Sequence, residues 1–283
     1  MIQLKTTISE ESFNQKRAHQ YKLSILAGVD SFLYVVNDHN QQLLLLKEYV
    51  FDAKQQATKL LAERIHQVFE QDKLLRLPYA SVKASLLGVK HTFIPNRLYN
   101  PDRKAAYLEH VIELKATDGI YADDVTALRA QNVYTADRAT VNFIGQMYPV
   151  VRFSHISSTL FLGFREQARA EKTDIFLSIR DNFAYLYCFQ NRELVFSNAF
   201  PFFSPKDLAY YVLLVYEQFD CSPTSQPLFV AGNFQEGSEH HRLLYRYIKF
   251  IQPVRMPNYY TSGEKTSREG QHHSFFDLMC VNL

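Results

Sequence analysis

The sequence predicts an α/β protein of two lobes, each built on a mixed sheet that opens with a three-strand antiparallel meander and carries flanking helices. Four observations carry this expectation. A β-β-β-α pattern occurs twice, first from Lys22 and again from Thr173. The two copies begin alike, KLSIL against FLSIR, with Ser24 matching Ser178. The copies lie about 150 residues apart, a period far too long for a solenoid and suited to duplicated lobes. Finally, 283 residues exceed one ordinary domain core. The expected division is 1–170 for the first lobe and 171–283 for the second.

In the first copy, apolar segments at Lys22 to Ala27, Phe32 to Val36 and Gln42 to Lys47 are separated by turn-type residues. Asp52 then reads as the cap of a helix that places Ala57, Leu60, Leu61, Ile65, Val68 and Phe69 on one face. The stretch SVKASLLGVKHTFIP reads as extended chain, and Asn100-Pro101 opens a helix through Leu108, Val111 and Ile112. A strand follows near Val125 to Val133, and Asp137 caps a helix with Val141, Ile144 and Met147 in register. PVVRFSH supplies a short strand, and Ser157 begins a helix with Leu160, Phe161, Phe164 and Ala168. This alternation predicts parallel, doubly wound chain.

In the second copy, strands at Thr173 to Ile179, Phe183 to Phe189 and Glu193 to Asn198 lead to a helix capped by Ser204, with Pro205 at its first position. Leu208, Val212, Val215 and Phe219 repeat at helical spacing along it. QPLFVAGNF reads as a buried strand ending in a Gly turn. Ser238 caps a further helix, IKFIQPVR closes with a strand, and NYYTSGEKTSREGQHHS (258–274) reads as a mobile loop.

Hydrophobic content of 47% against 21% charged allows a full core and argues against disorder. Phe (22) and Tyr (18) with no Trp favour strands and flat packing faces rather than a ligand. A net charge of +2 without long basic runs makes nucleic acid an unpredicted partner; a mildly basic balance permits RNA or ribosome association without supporting it. MIQLKTTISEESFNQ has no apolar export core, and no stretch reaches the length of a membrane span, so a cytoplasmic chain is expected. Cys188, Cys221 and Cys280 are far apart and form no Cys-x-x-Cys pair, which reads as free buried thiols. His240-His241 and His272-His273 are adjacent pairs that diverge by about 100° on a helix and do not share one ion easily. No Gly-x-Ser-x-Gly elbow, His-Glu-x-x-His helix or Gly-Lys-Ser/Thr phosphate loop occurs, so no metal or catalytic residue is assigned. Phe200-Pro201-Phe202-Phe203 and Tyr259-Tyr260 are either core aromatics or patches for a partner.

Two lobes, each a meander followed by a helix and then α/β chain, resemble the actin, sugar-kinase and heat-shock-chaperone superfamily of ATPase folds, with ribonuclease H-like lobes. DVTALRAQNVYTADRATVNFIGQMYPVVRFSH resembles the strand-helix-strand segment of the pilus-assembly and cell-division branch. NAFPFFSPKDLAYYVLLVYEQF and LFVAGNF are similar to a family of uncharacterised bacterial proteins with an actin-like fold. The resemblance implies two phosphate hairpins, each bearing Asp-x-Gly, and a Gly-Gly turn at the adenosine. A carboxylate there organises Mg²⁺, and Gly lets backbone N–H groups approach phosphate.

This chain departs from the pattern at each place. The first hairpin reads Ala27-Gly28-Val29-Asp30-Ser31, the second Arg180-Asp181-Asn182, and the adenosine turn Ala231-Gly232-Asn233 continuing to Gly237. Asp30, Asp181, Asn182, Gly232, Asn233 and Gly237 are therefore the candidate nucleotide-binding residues. Asp30 and Asp181 are either magnesium organisers or solvent-exposed turn residues, and Gly232 either admits a ligand or only permits the strand-to-helix turn. The leading expectation is a degenerate, non-catalytic protein-binding or scaffold module with no resident cofactor and an unidentified protein partner. The alternative is a divergent ATPase or small-molecule kinase that binds Mg-ATP in the cleft.

Overall fold

A computed structural model describes residues 2–52, 60–109, 113–261 and 272–283. In the first half, β1 (Ile2–Ser9) precedes the meander β2 (Lys22–Ala27), β3 (Ser31–Asn37) and β4 (Leu43–Phe51), followed by α1 (Leu61–Gln71). Then come β5 (Ser81–Leu86), β6 (His91–Pro95), the short α2 (Ala106–Glu109), β7 (Asp118–Val125), β8 (Ala130–Asp137), α3 (Arg138–Met147), β9 (Arg152–His155) and α4 (Ile156–Gln167). The second meander is β10 (Thr173–Arg180), β11 (Phe183–Gln190) and β12 (Glu193–Pro201). It leads through α5 (Pro205–Gln218), β13 (Leu228–Gly232), α6 (Glu239–Tyr245) and β14 (Ile251–Pro253) to α7 (Phe276–Cys280).

The duplication is visible in strand order. One sheet runs β1-β4-β3-β2-β5-β9 and the other β12-β11-β10-β13-β14. In each, the first meander strand pairs antiparallel with the second and parallel with the strand that follows the helix. The last strand adds in parallel beyond it. The extra strand β1 lies antiparallel on β4 at the edge of the first sheet. Its mostly exposed or half-exposed side chains explain why the sequence reads there as a polar lead.

The meander strands β2 to β4, β10 and β11 are buried on two faces, which accounts for their continuous apolar runs, whereas β12 has a single buried residue. All seven residues of β3 are buried, and in β10 only Thr173 is not. One apolar core lies between α1, α3 and the first sheet, around Phe32, Ile65, Phe69 and Ile144, and another lies between α5 and the second sheet, around Leu208, Val212 and Leu228. A third joins the lobes: Leu26, Leu33 and Val35 from one sheet and Phe176, Tyr187 and Phe189 from the other enclose α4 and α7. Phe164 of α4 stacks on Phe276 of α7 and on Phe176 of β10.

Several expectations are corrected. Strand and helix do not alternate in parallel from His91 to Asp137; β6, β8 and β7 form a separate antiparallel three-stranded sheet. The single strand expected near Val125 to Val133 is two, joined at a tight turn in which Arg129 is left-handed (φ 53°). The helix at Ile156 is capped by His155, whose ring accepts from Ser157 N, rather than opened by Ser157. The described part of the first long helix starts at Leu61; residues 53–59, over which Asp52 was expected to open it, lie outside the described residues. Val111 and Ile112 and most of the loop expected over 258–274 also lie outside them. Tyr260 is core, and its hydroxyl donates to Asn37 Oδ1 at 3.1 Å. The caps at Asp137 and Ser204 stand as expected, the latter in a capping box with Asp207.

All three cysteines are free, Cys188 and Cys280 buried and Cys221 partly so. Among the described residues no helix is long and apolar enough to cross a membrane, and no group of three or more His, Cys, Asp or Glu is placed to hold a metal ion.

Candidate functional site

The two meander hairpins meet tip to tip across the lobes. In the first, Gly28 N donates to Ser31 O at 2.9 Å and closes the turn. In the second, Asp181 is left-handed (φ 54°), which aims its side chain at the first hairpin. Asp30 N donates to Asp181 Oδ2 at 3.0 Å, and Ser31 Oγ donates to Asp181 Oδ1 at 2.6 Å. Asn182 Nδ2 reaches Asp30 Oδ2 at 3.5 Å. The fit is close enough that a Cβ on Gly28 would stand 2.4 Å from Asp181 Oδ2. Burial pushes the Asp181 carboxyl above the usual range; the hydrogen bonds from Ser31 and Asp30 oppose that shift, and the neighbouring Asp30 charge adds to it. Burial also raises Asp30, against the pull of Arg64, whose Nη1 donates to Val29 O at 2.7 Å.

Beneath this contact lies a buried ionic cluster that the sequence did not single out. Arg180, the last residue of β10, is fully buried. Its guanidinium takes Asp277 of α7 in a two-pronged pair, Nε to Oδ2 at 2.7 Å and Nη2 to Oδ1 at 2.8 Å. Nη2 also donates to Ser274 O, while Nη1 reaches Asn233 Oδ1 at 3.0 Å and Glu48 Oε1 at 3.5 Å. These partners match the five donors of the guanidinium fork. Burial opposes the charge, but Asp277 and Glu48 hold Arg180 firmly protonated. Glu48, on β4, also accepts from Lys5 Nζ at 3.1 Å and Thr6 Oγ1 at 3.0 Å. The cluster thus ties both sheets and the last helix to one cation.

Gly232 closes β13 with φ +73°, and a Cβ there would stand 2.0 Å from Ile179 O. Asn233 N donates to that same carbonyl at 2.6 Å. The absence of a side chain therefore serves the approach of one backbone to another. Gly237 (φ +77°) has open space around it and lies just before α6, its N–H facing His241 Nδ1 at 3.2 Å. So the structure joins Asp30, Asp181 and Asn182 at the hairpin tips, links Asn233 to them through Arg180, and gives Gly232 and Gly237 backbone roles.

A second polar cluster, buried or half-buried, lies where the three-stranded sheet meets α4. His155 Nδ1 lies 2.6 Å from Ser157 Oγ. Asp123 accepts from the His155 backbone N–H at 2.7 Å and from Ser158 Oγ at 2.7 Å. Because Asp123 holds that backbone and Ser158 rather than the ring, the three do not form a nucleophilic relay. The His91 and His155 rings lie 4.9 Å apart, and neither His91 Nδ1 nor His155 Nε2 has a hydrogen-bond partner among the described residues.

Burial drives His91 down to about 4 and His155 well below its usual value. A histidine lowered on folding contributes stability that is fully present above about 6.5 and is lost as pH falls toward the folded value. Asp123, raised by burial to about 6, has the opposite sign, so the histidine effect is read as a difference between variants. His91→Gln is expected to lose less stability than the wild-type chain as pH falls from 7 to 4.5. The gap has an upper bound of about 3 kcal/mol at about 1.4 kcal/mol per pKa unit. Urea unfolding at several pH values checks it, and parallel pH profiles would contradict it.

Comparison with solved structures identifies the architecture. A Bacteroides thetaiotaomicron protein with actin-like ATPase fold and unknown function matches with a TM-score of 0.78 at 21% identity, over 87% of this chain and 95% of that one. A chain of the PilM–PilN type IV pilus biogenesis complex matches with a TM-score of 0.61 at 13% identity, over 92% of this chain and 97% of that one. At such identities the likeness shows the fold alone, and the fold is the actin-like ATPase fold. A search of curated proteins finds no match. The model of the family described as "Protein of unknown function (DUF3822)" matches residues 10–251, and the chain belongs to that family.

Proposed function

We propose that this chain is a degenerate actin-like protein that no longer turns over nucleotide and works as a protein-binding or scaffold module in the cytoplasm, with lobes divided at 170/171. The observation that carries the reading is the Asp181 carboxylate held by Asp30 N and Ser31 Oγ. In the superfamily that this fold resembles, donors of a phosphate hairpin serve a ligand anion. Here two donors of the first hairpin serve an anion of the chain itself.

Mg-ATP does not fit these hairpins as they stand. A phosphate at the first turn would displace a carboxylate whose charge it shares, and Gly28 is already packed against that carboxylate. Asn182 stands where close approach would need glycine. The role of the fold in an assembly with another protein, as in the PilM–PilN complex, supports the partner-binding half of the reading.

An ATP-hydrolysis assay tests it. The purified chain is expected to show only background phosphate release, with Asp30→Ala and Asp181→Ala no different. Turnover that either substitution abolishes would restore the alternative, a divergent ATPase or small-molecule kinase with that carboxylate organising the metal.

A further inference from the structure

A groove of about 710 Å³ runs between the three-stranded sheet and the second lobe. One wall is β6, the other β12, and each is the outermost strand of its sheet. Among the described residues β6 pairs only with β8 and β12 only with β11. Successive residues line the groove, His91 to Phe93 on one side and Leu194 to Ala199 on the other. A strand presenting a face contributes alternate residues, so these walls are strand edges. Such edges carry backbone donors and acceptors that another strand can pair.

The lining is also uncharged: among the described residues no Asp, Glu, Lys or Arg contributes to it. Val195, on the β12 wall, is 41% exposed. A charged side chain entering this groove would lose hydration without meeting an opposite charge. An uncharged one meets matching surface. Of the two edges, β12 is the better template. It spans nine residues against five for β6; each strand ends in a proline, Pro201 and Pro95, which has no N–H to offer. The bulge in β12 falls opposite Cys188 and Phe189, leaving Phe196 to Phe200 regular before Pro201, with the Ala199 N–H already given to Asn198 Oδ1 at 2.8 Å.

We infer that the groove takes an extended, uncharged segment of a partner protein, added as a strand along β12 between the two lobes. The inference rests on the partner-binding reading above and gives that partner a chemistry. Backbone hydrogen bonds supply the affinity, and alternate side chains entering the groove supply the choice of partner. A strand of five or six residues, about 17–20 Å long, suits the regular part of β12.

The test pans a phage-displayed library of random eight-residue segments against the full chain. Enriched segments are expected to lack Asp, Glu, Lys and Arg. The same segments, made as capped peptides, should bind at least tenfold more weakly to Val195→Asp and to Thr92→Asp. They should also weaken at least tenfold when alternate amides are N-methylated. The two substitutions sit on opposite walls, and melting curves identify any variant that fails to fold, so one intact variant suffices. No enrichment, enrichment of charged segments, or binding indifferent to both substitutions or to N-methylation overturns the inference. The sealed hairpins are judged separately: ATP turnover alongside selective peptide binding would remove the non-catalytic reading and leave the groove. Silence toward both would remove the groove alone.

Discussion

Arg180→Met is expected to lose about 3–5 kcal/mol of folding stability, because removing one partner of a buried ion pair leaves the other charges uncompensated. Here the stranded group is Asp277, itself fully buried, while Glu48, 2% exposed, keeps Lys5 and Thr6 as partners. The loss is a large part of the roughly 5–15 kcal/mol that holds a typical domain. It should fall on both lobes at once, since Arg180 sits on β10, Glu48 on β4 and Asp277 on α7. Chemical denaturation measures it as a lowered midpoint. The paired change Arg180→Met with Asp277→Leu is expected to recover part of the loss, because replacing both members removes the stranded charge. A single variant within about 1 kcal/mol of wild type would mean that the cluster is solvated and does not bind the lobes together.

Gly232→Ala is expected to be comparably severe, and Gly237 supplies its control. Both glycines are left-handed, at φ +73° and +77°. An L-residue in that region costs about 1–2 kcal/mol wherever it stands. Gly237→Ala should show that cost and little more, since nothing lies within 4 Å of its added carbon. Gly232→Ala adds a collision at 2.0 Å with Ile179 O, a backbone atom of the adjacent strand that cannot swing aside. The parallel pairing Ile179↔Gly232 would have to open. A total loss of about 3 kcal/mol or more is expected, as for an overpacked core. Thermal melts of the two variants side by side check this, and equal losses would contradict the close backbone approach.

Much of this architecture was legible from pattern alone. The two meanders announced themselves because turn residues punctuate apolar runs of strand length, and α5 because Ser204, Pro205 and Asp207 assemble a cap within four positions. Local signals of that kind need no knowledge of neighbours. The three-stranded sheet was misread because β7 and β8 are joined by only four residues, and its pairing is a long-range property that β propensity does not encode.

The candidate site divides in the same way. Asp30, Asp181 and Asn182 were found because turns are readable, and the structure brings them together. What escaped was who holds whom. Asp181 meets Ser31 across 150 positions, and Arg180 meets Asp277 across 97 and Glu48 across 132. No spacing rule links residues so far apart. A charged residue following the mostly apolar run IFLSI, as Arg180 does, is the one local sign of a buried cation.

The reading of this chain turns on its own Asp181 carboxylate occupying the donors of the first hairpin. Isothermal titration of Mg-ATP into the purified chain, with ADP as control, tests it most directly. No saturable heat and no thermal shift are expected at millimolar nucleotide. Saturable binding that Asp30→Ala weakens would contradict it, and would mean that the hairpins part to admit a phosphate.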